Sequence, residues 1–320
     1  MSPARFLTDL SLHSLLYYNY RDSCEGISVE SKTADKDVRR LVAESAESQA
    51  APDGKTCLVI SLKTTASISR SQGVPAKEVE ITALKQGIIP SRYLRNTGTI
   101  GLDGQIKLLQ STVAVVGAGG LGSNIIELSA RQGIGRLIIV DNDHFAEQNL
   151  NRQIMSTEEN LGEYKVLVAA KRVKEINSAT SVTTFRERLT RENAQGLLSG
   201  AHVVVDGLDN LPPRLVVEHA CRQLAIPYVY ASIAGFSGQL MTIFPGDVGL
   251  SSLYGSASNT APEQGVETRI GNPPATVAMI AALQVQEVVK IITGVGTPIR
   301  NQILFVDTRE FAIDRIELGR

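Results

Sequence analysis

The chain has 320 residues, with 32 Lys and Arg against 33 Asp and Glu, for a formal net charge of -1. At roughly 150 residues per domain this is one large domain or two modest ones, and the charge balance points neither to a nucleic-acid partner nor to an acidic solvating tail. Hydrophobic residues make up 43% and charged residues 20%, which supports a sizeable core. No uninterrupted apolar run reaches the roughly eighteen residues of a membrane span. Asp9 and His13 break the mildly apolar start, so no secretory signal is expected. Cys24, Cys57 and Cys221 form no CxxC pair and suit a reducing, cytoplasmic setting.

Residues 1–56 are rich in Ser, Ala, Glu and Lys after Arg21 and predict a poorly ordered or loosely helical extension. One helix is expected near 37–48, and Pro52-Asp53-Gly54 signals a turn. Residues 57–90 predict a helical hairpin: a helix over 58–72 closed by Gly73, and a second between Pro75 and Gly87. Two short helices also fit a helix-turn-helix DNA reader, but Lys63, Arg70, Lys77 and Lys85 make no stripe. A hairpin packed on the main domain is the expectation.

Residues 91–320 predict the main domain. Strands are expected at 112–116, 136–141, 182–186, 201–206 and 228–232, with helices at 121–132, 163–176, 192–198 and 212–224. This alternation gives a doubly wound, mostly parallel Rossmann-like α/β sheet. The end of the sequence departs from it. An antiparallel strand at 239–244, a long segment without periodicity at 245–271, a helix at 274–292 and a closing hairpin at 302–307 and 311–317 are expected. The fold class is therefore α/β with antiparallel C-terminal strands and a small helical N-terminal extension. A segment as long as 245–271 is uncommon in a compact domain unless it has a role; it reads either as a flexible segment crossing a binding surface or as a disordered insertion.

Gly117-Ala118-Gly119-Gly120-Leu121-Gly122 satisfies GxGxxG between a strand and a helix. Glycines there let backbone amides approach phosphate oxygens at a helix N-terminus. Asp141 lies 19 residues after Gly122, at the end of the second strand, where an acid accepts from ribose hydroxyls. These features alone suit a dehydrogenase equally well. Arg152, Lys165 and Asp209 also fall at strand ends, on one edge of a parallel sheet. Two cations and an acid fit a triphosphate with Mg²⁺ better than a nicotinamide dinucleotide.

With these residues in hand, residues 90–317 resemble the MoeB/ThiF/HesA family, relatives of the adenylating domain of ubiquitin-activating enzymes. The resemblance rests on Arg92-Tyr93-Leu94-Arg95-Asn96, the glycine loop, Asp141 with Asp143, Asn149-Leu150-Asn151-Arg152-Gln153, Lys165, Asp206 to Asn210 with Arg214, and the closing helix. It implies ATP-dependent adenylation of the C-terminal glycine of a ubiquitin-like sulfur carrier of the ThiS or MoaD type. Carried over by position, it implies that Gly117, Gly119, Gly120 and Gly122 form the phosphate loop. Asp141 would hold the ribose and Asn149 would sit by the nucleotide. Arg152 and Lys165 would bind phosphates, and Asp209 would hold Mg²⁺. Arg95 would reach the phosphates of the neighbouring subunit of a homodimer. A tRNA threonylcarbamoyladenosine dehydratase-like enzyme and a non-catalytic nucleotide-binding scaffold are the alternatives. Many members carry two CxxC pairs that bind zinc. Residues 246–254 occupy the place of the first pair without a cysteine, and none follows Cys221. No zinc and no covalent carrier–cysteine conjugate are expected; any sulfur donor should be a separate protein. Cys221 is expected to be a core residue.

Overall fold

The computed structural model describes residues 29–51, 54–254 and 267–319. The expectations for residues 1–28 and for the turn at Pro52-Asp53 lie outside them, as does the middle of the 245–271 segment.

An N-terminal unit runs α1 (Val29–Glu44), β1 (Glu47–Ala50), β2 (Thr56–Ile60), α2 (Leu62–Gln72), α3 (Ala76–Lys85) and β3 (Ile88–Pro90). The expected helix pair is there, but the hairpin reading of 57–90 needs correction. Thr56–Ile60 is a strand, antiparallel to β1 and parallel to β3. The helix begins only after Ser61, whose side chain accepts from the Thr64 amide. A short apolar run followed by an N-cap serine favours a strand and then a helix. Residues 29–50 of the expected extension are ordered as α1 and β1, with Val38 and Val42 packed on Ile60, Ile68 and Val79. From α3, Ile81 and Leu84 pack with Tyr93 and Leu109, which joins the unit to the main domain.

The main domain follows: α4 (Thr97–Gln110, broken at Gly101), β4 (Thr112–Val116), α5 (Gly120–Gln132), β5 (Arg136–Val140), α6 (Lys165–Ile176), β6 (Ser181–Phe185), α7 (Ala194–Leu198), β7 (Val203–Asp206), α8 (Leu211–Leu224), β8 (Tyr228–Ala234), β9 (Ser237–Ile243), α9 (Leu250–Tyr254), α10 (Glu267–Ile270), α11 (Pro274–Thr293), β10 (Gln302–Asp307) and β11 (Ala312–Glu317). The eight strands lie in the order β11-β10-β9-β8-β7-β4-β5-β6. Strands β4 to β8 are parallel, and β9, β10 and β11 are each antiparallel to their neighbours. The main-domain alternation, the antiparallel β9 and the closing hairpin are as the sequence predicts. The described parts of the long segment carry the short helices α9 and α10.

Every residue of β4 is buried, because helices cover both faces of a parallel sheet. One face packs Val113 and Val115 against Ile125 of α5 and Ile280 of α11. The other packs Ala114 and Val116 with Val217 and Cys221 of α8. Among the described residues, α11 is long and apolar enough to cross a membrane, a feature the sequence reading passed over. It serves instead as a core helix. Val277, Ile280, Ala281 and Val288 are fully buried, and Gln284 donates to the carbonyl of Asp206 at 2.8 Å. The chain leaves β4 toward β5 on one side, and from β7 toward β8 on the other. The adjacent C-terminal ends of β4 and β7 are thus a topological switch point, where open α/β sheets bind ligands.

Candidate nucleotide site

Main-chain packing forms the floor of that crevice. Gly117 has φ of +90°, and a Cβ on it would stand 2.6 Å from the carbonyl oxygen of Gly207; one on Gly122 would stand 1.8 Å from that of Gly117. The loops after β4 and β7 therefore meet backbone to backbone. Gly207 donates to Val116 O and Gly117 to Val140 O, each at 2.8 Å. Gly119 caps α5 without a side-chain hydrogen bond, which leaves the first amides of α5 for an anion.

Asp141 holds this loop in place. Its carboxylate accepts from the Ala118 amide at 2.6 Å and from the Asp143 amide at 2.7 Å. It still lines the crevice, and each oxygen keeps a second lone pair. Lys165 opens α6, is buried to 6% exposure, and sets its Nζ 3.1 Å from Asp143 Oδ2. Its direction is fixed by its backbone, which donates to Asp143 O at 3.0 Å. Arg152 lines the same crevice, braced by hydrogen bonds to Gln148 O and Asn151 Oδ1.

The turn after β7 is built on a buried ion pair. Asp206 is fully buried, with Arg214 Nε 3.0 Å from its Oδ2, although that N–H is not aimed well enough to make a hydrogen bond. Arg214 also donates to Leu208 O at 2.6 Å, and Asp206 accepts from Leu208 N at 2.8 Å. Burial pushes the Asp206 carboxyl above its ordinary value, against the pull of Arg214. Burial works against the charge of Arg214 as well, yet Asp206 beside it holds its pKa above the ordinary value. The fixed turn carries Asp209 outward, exposed at the rim.

Gly117, Gly119, Gly120, Asp141, Arg152, Lys165 and Asp209 all line one cavity of about 580 Å³, within the range of small-molecule sites. Three expected residues do not line it. Gly122 packs beneath the loop. Asn149 is buried behind the wall, where its Oδ1 accepts from Ala146 N at 2.9 Å, so it shapes the turn that carries Arg152. Arg95 is exposed and away from its own chain's cavity. The sequence reading did not single out Glu187, Arg188 and Asn272, which line the rim. They sit in irregular segments with no spacing signal.

Magnesium is held by one or two carboxylates together with phosphate oxygens, so the rim carboxylate of Asp209 fits such an ion. Among the described residues no group of three His, Cys, Asp or Glu could hold a metal. At the position of the first zinc pair, Asp247 receives two hydrogen bonds from Arg300, at 2.6 and 2.8 Å. Arg222 donates to the carbonyls of Pro245 and Asp247. Cys221 is buried, and burial, with Glu218 nearby, pushes its thiol up to about 12. It is a core residue, as expected.

The ThiF family profile matches residues 93–320. The SAMP-activating enzyme E1 of Haloferax volcanii is 33% identical over 229 residues, covering 70% of this chain and 84% of that protein. The sulfur carrier protein ThiS adenylyltransferase of Escherichia coli is 35% identical over 207 residues, 64% of this chain and 82% of that one. The microcin C7 biosynthetic enzyme MccB, solved with N-formylated MccA, superposes with a TM-score of 0.62 at 21% identity. That match covers 92% of each chain, so the likeness in fold extends beyond the family match into the N-terminal unit. By its sequence and its fold, the chain belongs to the ThiF family.

Proposed function

We propose that this protein is an adenylyltransferase that uses ATP to activate the C-terminal carboxylate of a small ubiquitin-like carrier. The observation that carries the reading is the convergence of Arg152, Lys165 and Asp209 with the glycine loop on one cavity. Relatives named as a ThiS adenylyltransferase and as an E1 support it.

The chemistry follows from the charges. A terminal carboxylate is already ionised at neutral pH, so no general base is needed. The barrier comes from repulsion between anions and from charge gathering at phosphorus. A carboxylate oxygen attacks the α-phosphorus, the bond to the bridging β oxygen breaks, and pyrophosphate leaves with that electron pair. Arg152 and Lys165 bind the phosphates and stabilise the gathering charge, worth about 3 to 4 kcal/mol for one such contact. Asp141 keeps the glycine loop in register and takes the ribose. Asp209 would hold Mg²⁺, whose charge would offset that of the pyrophosphate. Arg95 is offered to the phosphates of a second copy of the chain in a homodimer.

The test is ATP–pyrophosphate exchange with candidate carriers, each with and without its Gly-Gly end. Exchange that requires the intact end supports the reading. ATP binding with no exchange for any carrier would leave a nucleotide-binding scaffold.

A further inference from the structure

Arg95 lies in a turn that is pinned on both sides of it. On one side, Tyr93 is fully buried. Its hydroxyl donates to Glu80 Oε2 at 3.1 Å and accepts from Asn177 Nδ2 at 2.9 Å. Arg92 stands 3.4 Å from Glu80 Oε1 and donates to Asn177 Oδ1. On the other side, Asn96 donates to Gln105 Oε1 at 3.0 Å. The Arg95 side chain is exposed. A pinned backbone that displays an exposed cation suits a group that acts outside its own chain.

The partners of this turn reach two elements of the site. Asn177 caps the C-terminal end of α6, whose first residue is Lys165. It also donates to Ala130 O in α5, whose N-terminus follows the glycine loop. Glu80 comes from α3, outside the family match at 93–320. It is 1% exposed, and a buried carboxylate is retained at a cost unless its partners are fixed.

We propose that Glu80 is a positioning residue: from the N-terminal unit it fixes the 91–96 turn so that Arg95 is presented to the nucleotide held by a second copy of the chain. The inference rests on the adenylation reading. It makes the N-terminal unit part of the site rather than an appendage. Burial raises the Glu80 carboxyl to about 7, despite the charge of Arg92 and the hydroxyl of Tyr93. Among the described residues, Arg92 and Tyr93 are the charged and titratable groups in contact with it, and the α1 and α2 side chains packed on α3 in the unit's core include Val38, Val42 and Ile68. Protonation near neutral pH therefore loosens the hold on Arg92.

The experiment compares Glu80→Gln, Arg95→Ala and the double variant in ATP–pyrophosphate exchange. Gln keeps an acceptor for Tyr93 but turns an amide N–H toward Arg92. Glu80→Gln should lower kcat/KM about tenfold, as the buried ion pair with Arg92 is lost while the Tyr93 contact is kept. The double variant should be no worse than Arg95→Ala alone. The fall in wild-type activity as pH drops through about 7 should be absent in Glu80→Gln. Losses that multiply in the double variant, or a folded Glu80→Gln with wild-type kcat/KM, overturn the proposal. A second measurement needs neither a variant nor a carrier. Amides of residues 94–96 in the wild type, corrected for intrinsic rates, should exchange faster at pH 6 than at pH 8, and equal protection overturns the proposal. Absence of exchange activity with every carrier would remove the adenylation reading, while the amide measurement still decides Glu80.

Discussion

Replacing Lys165 by Met separates stability from catalysis at this site. The side chain is 7% exposed, and its ion-pair partner Asp143 is 64% exposed. Losing the ammonium leaves Asp143 in water, so the pair contributes under about 1 kcal/mol to folding. Met retains the packing of the aliphatic stem. The melting temperature should therefore change by no more than about 4 °C. Phosphate binding loses a preorganised cation from a cavity wall, and turnover should fall about a hundredfold or more, near 3 kcal/mol in barrier. Lys165→Ala and Arg152→Ala should show losses of the same size. The assay is ATP–pyrophosphate exchange beside a thermal melt. Near-wild-type turnover in folded Lys165→Met and Arg152→Ala would take both cations out of the mechanism.

Gly122→Ala should displace the phosphate loop, since its Cβ would stand 1.8 Å from Gly117 O. ATP affinity by calorimetry should drop more than about tenfold as overpacking of about 1–3 kcal/mol is relieved at the loop; unchanged affinity in a folded variant refutes this. Asp247→Ala should destabilise the protein by about 1–2 kcal/mol, because Phe244 N and Arg300 lose an acceptor. Burial works against the charge of Asp247, but the hydrogen bonds from Arg300 win and hold the carboxyl below its ordinary value. Its contribution is thus present above the ordinary aspartate value and lost as pH falls through the depressed one. A melt series toward acid pH should show the wild type converging on Asp247→Ala, and a constant gap would contradict it. Metal analysis of purified protein should find far less than one zinc per chain; near-stoichiometric zinc would overturn that expectation.

The nucleotide floor was legible because its requirements are local. A glycine loop between a buried strand and a helix has few other readings, and Asp141 and Lys165 follow at strand-end spacing. The N-terminal unit was less so. Thr56–Ile60 is too short for its periodicity to separate strand from helix, and only pairing with β1 and β3 decides it. Asn149, placed by the nucleotide through the resemblance, uses its amide oxygen to accept from Ala146 N, a contact that spacing cannot reveal. The same holds for Glu80 and Asn177, which meet Tyr93 across 13 and 84 residues of sequence. Asn272 enters the wall from the short link between α10 and α11.

The contact among Gly117, Gly122 and Gly207 has a consequence for how such a protein diversifies. Where two loops touch through main chain alone, no side chain there is available to vary, and the bed of the crevice is closed to change. Glu187, Arg188 and Asn272 stand on the lip, each free of that contact. New acceptors for the activated phosphate should therefore arise by exchange of lip residues while the bed is inherited unaltered.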